Sequence, residues 1–119
     1  DMTRRDLQQT LRQKGHPWCI SKGFDASAPI APIVPVAAAG NISQASISLQ
    51  VNGQTRQSSH INCMIWNIAA TIAAASRGWE LQAGDLIFTG TPAGVGAVVQ
   101  GDELVGSISG LPEVRVRVV

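Results

Sequence analysis

The sequence predicts a mixed α/β fold, rich in β structure, with two short helices. Three observations carry this. Ile47, Leu49 and Val51 alternate with polar residues ahead of Asn52-Gly53, a strand pattern followed by a type I′ hairpin turn. Val114, Val116 and Val118 alternate with Arg115 and Arg117, as in a half-buried strand. Two other stretches, 3–14 and 61–77, repeat apolar residues at helical spacing instead.

Residues 3–14 read as the first helix. Thr3 stands as N-cap with Asp6 three residues on, as in a capping box. Leu7 and Leu11 share a face, and Gly15 supplies the stop. His16-Pro17-Trp18 then leaves helical geometry, because a residue before proline avoids the α region. Pro17, Pro29, Pro32 and Pro35 exclude a helix over 19–36 and predict an edge or irregular strand there. Residues 46–58 form a hairpin. The second helix spans 61–77, with Ile61, Met64, Ile65, Ile68 and Ile72 on its apolar face, Ser58 or Ser59 as cap and Gly78 as stop. Cys63 falls near that face and reads as core. Strands follow at 85–89, 103–109 and 113–119, with a glycine-rich loop, 90–96, after the first.

Composition narrows the function. Nine Lys and Arg oppose eight Asp and Glu, for a net charge of +1. Without a basic patch, nucleic acid is not an expected partner. A bilayer span needs about 20 apolar residues, and the longest candidate, 61–75, is interrupted by Asn62, Asn67 and Thr71, so no membrane partner is expected. The 45% hydrophobic and 14% charged fractions belong to a folded chain. At 119 residues the chain has room for one small domain with its own core. Two cysteines cannot build a disulfide framework, which points to a reducing, cytoplasmic setting. The chain opens on Asp1 rather than Met, which reads as processing or as part of something longer.

Several residue groups could carry chemistry. The loop from Thr89 to Gly96 is glycine-rich but lacks the Gly-Lys-Ser/Thr of a phosphate loop and the G-x-G-x-x-G order of a dinucleotide site. Nucleotide binding is thereby rejected. It is either a tight connection or a backbone that approaches a small anion, with Thr91 as donor. Asp1 precedes a helix that carries Arg5 and Gln8 three residues apart on one face. Asp1 is either a dipole partner or an oxygen ligand for a hard divalent cation, although the chain holds no Glu-x-Glu or Asp-x-Asp. Lys22, in a proline-rich stretch of low charge, is either a solvated surface residue or a charge that stabilises a developing enolate. His16-x-x-Cys19 and His60-x-x-Cys63 allow a zinc site, against the usual pairing of Cys with Cys and His with His. A serine hydrolase lacks its G-x-S-x-G elbow.

Five segments, in order and with matching intervals, resemble the fumarylacetoacetate hydrolase family. They are Asp1-Met2-Thr3-Arg4-Arg5-Asp6-Leu7-Gln8, Lys22-Gly23-Phe24-Asp25, and Leu49-Gln50-Val51-Asn52-Gly53 with Arg56-Gln57. Leu81-Gln82-Ala83-Gly84-Asp85-Leu86-Ile87 and Thr89-Gly90-Thr91-Pro92-Ala93-Gly94-Val95-Gly96 follow, with Gly101-Asp102 behind. The first two are most similar to the fumarylpyruvate- and acylpyruvate-hydrolysing members.

The resemblance implies a β-roll or distorted barrel with a divalent metal at its mouth, Mg²⁺ or Mn²⁺, and a homodimer. It implies that 1–119 is the carboxyl-terminal part of a single catalytic domain, whose amino-terminal part carries a Glu-x-Glu pair of metal ligands and a Glu-His lid. On motif matching, Asp1 is the remaining metal ligand. Lys22 is the catalytic lysine, Arg5 and Gln8 are substrate-side catalytic residues, and Thr91 with Gly90 meets the substrate carboxylate. The implied reaction is hydrolysis of a C–C bond in a 2,4-dioxo acid such as fumarylpyruvate, giving pyruvate and fumarate. The alternatives are a 2-oxo acid decarboxylase or isomerase of the same family, oxaloacetate being one substrate, and a non-catalytic remnant that serves as a binding or assembly module.

Overall fold

The computed structural model describes all residues 1–119, in two compact units, Asp1–Ile30 and Ala31–Val119. The first is organised by helix α1 (Arg5–Gln13). Leu7 and Leu11 are half-buried on it and Gln8 is buried. The helix stops where expected. Gly15, at φ +66, donates to Arg12 O, and His16 N–H donates to Leu11 O, which supplies donors to carbonyls of the last turn. Its start differs from the expected capping box. Arg4, not Thr3, is the N-cap, with no side-chain cap bond. The chain ahead of it is held elsewhere: Met2 N–H donates to Ser27 O, and Arg4 N–H to Ser21 O. A 3-10 turn, Cys19–Ser21, follows, with Ser21 fully buried. The Arg4 guanidinium lies 4.3 Å from the centre of the Phe24 ring, a cation–π contact that ties α1 to the segment beyond it.

No strand forms over 19–36. Proline lacks the N–H that a ladder requires, and it stands at 29, 32 and 35. A third short helix, α2 (Val36–Ala39), begins directly after Pro35.

The second unit is built on an antiparallel sheet of β1 (Ser46–Val51), β2 (Gln54–His60), β3 (Glu103–Ile108) and β4 (Val114–Arg117), in the order β2-β1-β3-β4. The β-rich mixed fold is thus the one expected, with an open sheet whose edges are β2 and β4. Asn52 (φ 51) and Gly53 (φ 77) make the hairpin turn, both in the left-handed region that a type I′ turn demands. Leu49 pairs with Gln57 but Gln50 pairs with Thr55, so Arg56 is left as the extra residue of a β-bulge. Val51 and Leu104 are register partners, 7% and 9% exposed, and they are the buried apolar core. That core is smaller than the composition suggests, because Ile65, Val36, Ile33 and Trp79 lie in the open.

A polar corner fixes the end of the hairpin. Asn52 Nδ2 donates to Asp102 Oδ1 at 2.8 Å, Glu103 N–H donates to Asn52 Oδ1, and Val99 N–H donates to Asp102 Oδ2. The Val99 amide first, and the Asn52 amide second, hold the Asp102 carboxyl below its ordinary value. The motif pairs Asn52-Gly53 and Gly101-Asp102 are therefore structural.

The second helix, α3 (Ile68–Ala75), is shorter than expected. Ile61–Cys63 is a 3-10 turn, and Met64 departs at ψ 136. Asn67, rather than Ser58 or Ser59, caps α3 by accepting from Ala70 N–H at 2.8 Å. Cys63 is exposed, not core. Residues 85–89 form no strand. Leu86, Ile87 and Phe88 are apolar but have no paired neighbour, and strand preference depends on one. Asp85 instead closes a turn, accepting from Gln82 N–H.

Candidate functional site

The candidate residues fall into two sets, one in each unit. In the first unit, Lys22 leaves the 3-10 turn with its N–H bonded to Cys19 O. Its Nζ donates to Asp1 Oδ2 at 2.8 Å. The side chains are 42% and 27% exposed, so solvent weakens the ion pair without removing it. At the start of α1, Arg5 Nη1 donates to Gln8 Oε1 one turn on, at 2.8 Å, with Gln8 only 5% exposed. The buried amide anchors the guanidinium along the helix surface. Chemically, this unit offers a hard oxygen ligand in contact with an ammonium that can face developing negative charge.

In the second unit, the loop 90–96 rests on β2. Gly90 (φ +91) and Gly94 (φ +101) adopt backbone angles that disfavour side chains. A Cβ at Gly94 would collide with the Arg56 carbonyl oxygen. Gln57, 8% exposed, donates through Nε2 to Thr91 Oγ1 and to Pro92 O at 2.8 Å each. Thr91 itself is exposed. Sequence reasoning did not single out Gln57. Its one signal was the Arg56-Gln57 step inside a matched segment.

Asp1 is a single carboxylate, and neither unit gathers three His, Cys, Asp or Glu side chains that could hold an ion. This chain's donors therefore fit a hard cation as one ligand of several, not as a whole shell. His16 with Cys19 and His60 with Cys63 lie in different units, each only a pair, and both thiols are free and exposed. Two shallow clefts occur in the second unit. One of about 240 Å³ is lined by Gln50, Glu103, Glu113 and Arg115, and one of about 420 Å³ by Ile65, Trp66, Ala70 and Arg77. None of the candidate residues lines either. No helix is long and apolar enough to cross a membrane.

The profile described as "Fumarylacetoacetate (FAA) hydrolase C-terminal" matches residues 1–119. The chain belongs to the fumarylacetoacetate hydrolase family. It is 48% identical over 118 residues to a fumarylpyruvate hydrolase of Ralstonia sp, covering 99% of this chain and 61% of the relative. It is 39% identical to a mitochondrial oxaloacetate tautomerase of Homo sapiens, covering 99% of this chain and 53% of that protein. Among solved structures, the fumarylpyruvate hydrolase of Pseudomonas aeruginosa in complex with Mn²⁺ and pyruvate superposes with a TM-score of 0.94 at 54% identity, covering 98% of this chain and 50% of that one. The chain thus spans about half the length of the relatives it matches.

Proposed function

We propose that residues 1–119 are the carboxyl-terminal part of the catalytic domain of a divalent-metal-dependent hydrolase. It would cleave a C–C bond of a 2,4-dioxo acid such as fumarylpyruvate into pyruvate and fumarate. The observation that carries this is the 54% identity, over 98% of the chain, with a fumarylpyruvate hydrolase structure holding Mn²⁺ and pyruvate.

Asp1 supplies one metal ligand, and the other two are the glutamates of the Glu-x-Glu segment that the family resemblance implies. Bound Mg²⁺ or Mn²⁺ would polarise the 2-oxo carbonyl and favour the enolate form of the leaving pyruvate. Lys22, in contact with Asp1, places positive charge beside that enolate oxygen. Arg5, braced by Gln8, orients the substrate. The Thr91 hydroxyl and the backbone at Gly90 hold the substrate carboxylate. The free thiols of Cys19 and Cys63 are compatible with a reducing cytoplasm, and a homodimer is the assembly proposed.

Incubating the whole enzyme, Mn²⁺-loaded, with fumarylpyruvate tests this reading. Equimolar pyruvate and fumarate are expected, and intact substrate would sink it. A second reading is favoured by the 39% identity with an oxaloacetate tautomerase: 2-oxo acid isomerisation or decarboxylation, using the same charge placement on an enol. Keto–enol exchange or CO₂ release from oxaloacetate, without cleavage of fumarylpyruvate, would select it. A non-catalytic binding or assembly module would be selected if the whole protein turned over neither substrate.

A further inference from the structure

We infer that Gln57 is a positioning residue that fixes the direction of the Thr91 hydroxyl proton and thereby sets how well the loop 90–96 holds a ligand carboxylate. The inference rests on the reading that Thr91 meets the substrate carboxylate.

The orientation of the Gln57 amide follows from its neighbours. Pro92 O lies 2.8 Å and Ala93 O 3.5 Å from Nε2. Carbonyl oxygens only accept. With the amide reversed, Oε1 would face both carbonyls with no proton between them, an arrangement a buried group does not sustain. The NH₂ group therefore points at the loop. It has two hydrogens: one serves Pro92 O and the other serves Thr91 Oγ1, at 2.8 Å. Thr91 Oγ1 is thus an acceptor toward Gln57, and its own proton must point away from Gln57. Because Thr91 is exposed while Gln57 is buried, that proton is available to an incoming anion.

A separate observation fixes the loop on the same strand. Gly94, at φ +101, lies against the carbonyl of Arg56, the bulged residue just before Gln57. The loop is therefore seated on two consecutive residues of β2, by backbone contact at Arg56 and by side-chain hydrogen bonds at Gln57. The bulge controls both, because the extra residue puts Gln57 opposite Leu49, on the Val51 side of the sheet. A donor whose direction is set before the ligand arrives does not have to be reoriented on binding.

The test is a double-mutant cycle in the whole, Mn²⁺-loaded enzyme. Pyruvate Kd is read by calorimetry, alongside KM and kcat for fumarylpyruvate. Thr91→Val should weaken pyruvate about 10-fold or more, as loss of a hydrogen bond to a charged group does. Gln57→Met, close in shape but without the donor, should weaken pyruvate several-fold and raise KM while leaving kcat within about twofold. The double variant should bind no more weakly than Thr91→Val alone, because Gln57 acts through Thr91. Losses that simply add, or a Gln57→Met variant with unchanged pyruvate Kd beside a weakened Thr91→Val, would overturn the role of Gln57 alone. An unchanged Thr91→Val would overturn the underlying carboxylate reading and this inference with it. If Gln57→Met fails to fold, Gln57→Asn, whose amide is one methylene too short to reach Thr91, should give the same pattern, and wild-type affinity in it would overturn the inference.

Discussion

Lys22 and Asp1 share one hydrogen bond, and replacing either removes something different. Lys22→Met deletes a charge at the position proposed for the developing enolate. Turnover of the whole enzyme should fall by a factor on the order of 10² or more, as for loss of preorganised electrostatics. Steady-state kinetics check it, and near wild-type kcat would remove Lys22 from the mechanism. Asp102 is a charged residue with a different task. Its carboxyl is held low by Val99 N–H and Asn52 Nδ2, so the ionised form is favoured in the native state. The stability it contributes is present above its unfolded value, about 3.9, and is lost as pH falls through the lower folded value. Asp102→Asn should therefore lower Tm at neutral pH, and the gap to wild type should close on acidification below about pH 4. Thermal melts across pH 2–7 would reveal it, and a gap that widens in acid would contradict it. Both residues sit in matched sequence segments, yet the structure gives Asp102 a purely architectural role at a hairpin corner. Motif membership alone does not separate the two, because it records position and not what each side chain touches.

Local signals were readable at the level of elements wherever a few adjacent residues decide the outcome. Asn52-Gly53 demands two positive φ values and gets them. At Gly15 α1 ends: the Gly15 N–H bonds three residues back, to Arg12 O, and the His16 N–H five back, to Leu11 O. Signals failed where a distant partner decides. Leu86, Ile87 and Phe88 look like a strand but pair with no other strand. The 61–77 stretch has helical periodicity throughout, yet Met64 leaves the helix and Asn67 restarts it. Gln57 was hidden by a count. Strict alternation from Gln54 puts residue 57 on the opposite face, and the unpaired Arg56 reverses that. Its partners Thr91 and Pro92 are also far along the chain. The seating of the loop on this bulge gives a direct expectation for Gly94→Ala. The new Cβ meets the Arg56 carbonyl at a φ that costs about 1–3 kcal/mol for a non-glycine residue. The variant should melt earlier and bind pyruvate more weakly than wild type. An unchanged Tm together with unchanged affinity would mean that the loop is not held against the bulge.

On the scale of the whole chain, the buried apolar core amounts to Val51 and Leu104, while Ile65 (99% exposed), Val36 (86%) and Trp79 (72%) stand in solvent. Exposed apolar surface on this scale binds hydrophobic dyes and promotes association. The 119 residues expressed alone should bind anilinonaphthalene sulfonate in native buffer and elute as more than a monomer. A dye-silent monomer would show that the chain covers these side chains by itself. The strand order also has a kinetic consequence. The β1-β2 and β3-β4 pairings join neighbours in sequence, and such hairpins close within about 1–10 μs. The β1-β3 pairing must bring Val51 and Leu104 together across the whole of 52–103, and it meets a loop-closure entropy that the hairpins escape. The one buried apolar pair lies on that slow seam, whose closure is the rate-limiting step. Val51→Ala should consequently slow refolding of the sheet more than it hastens unfolding. In this chain, the residues that hold the native sheet together are also those that set the pace at which its two halves find each other.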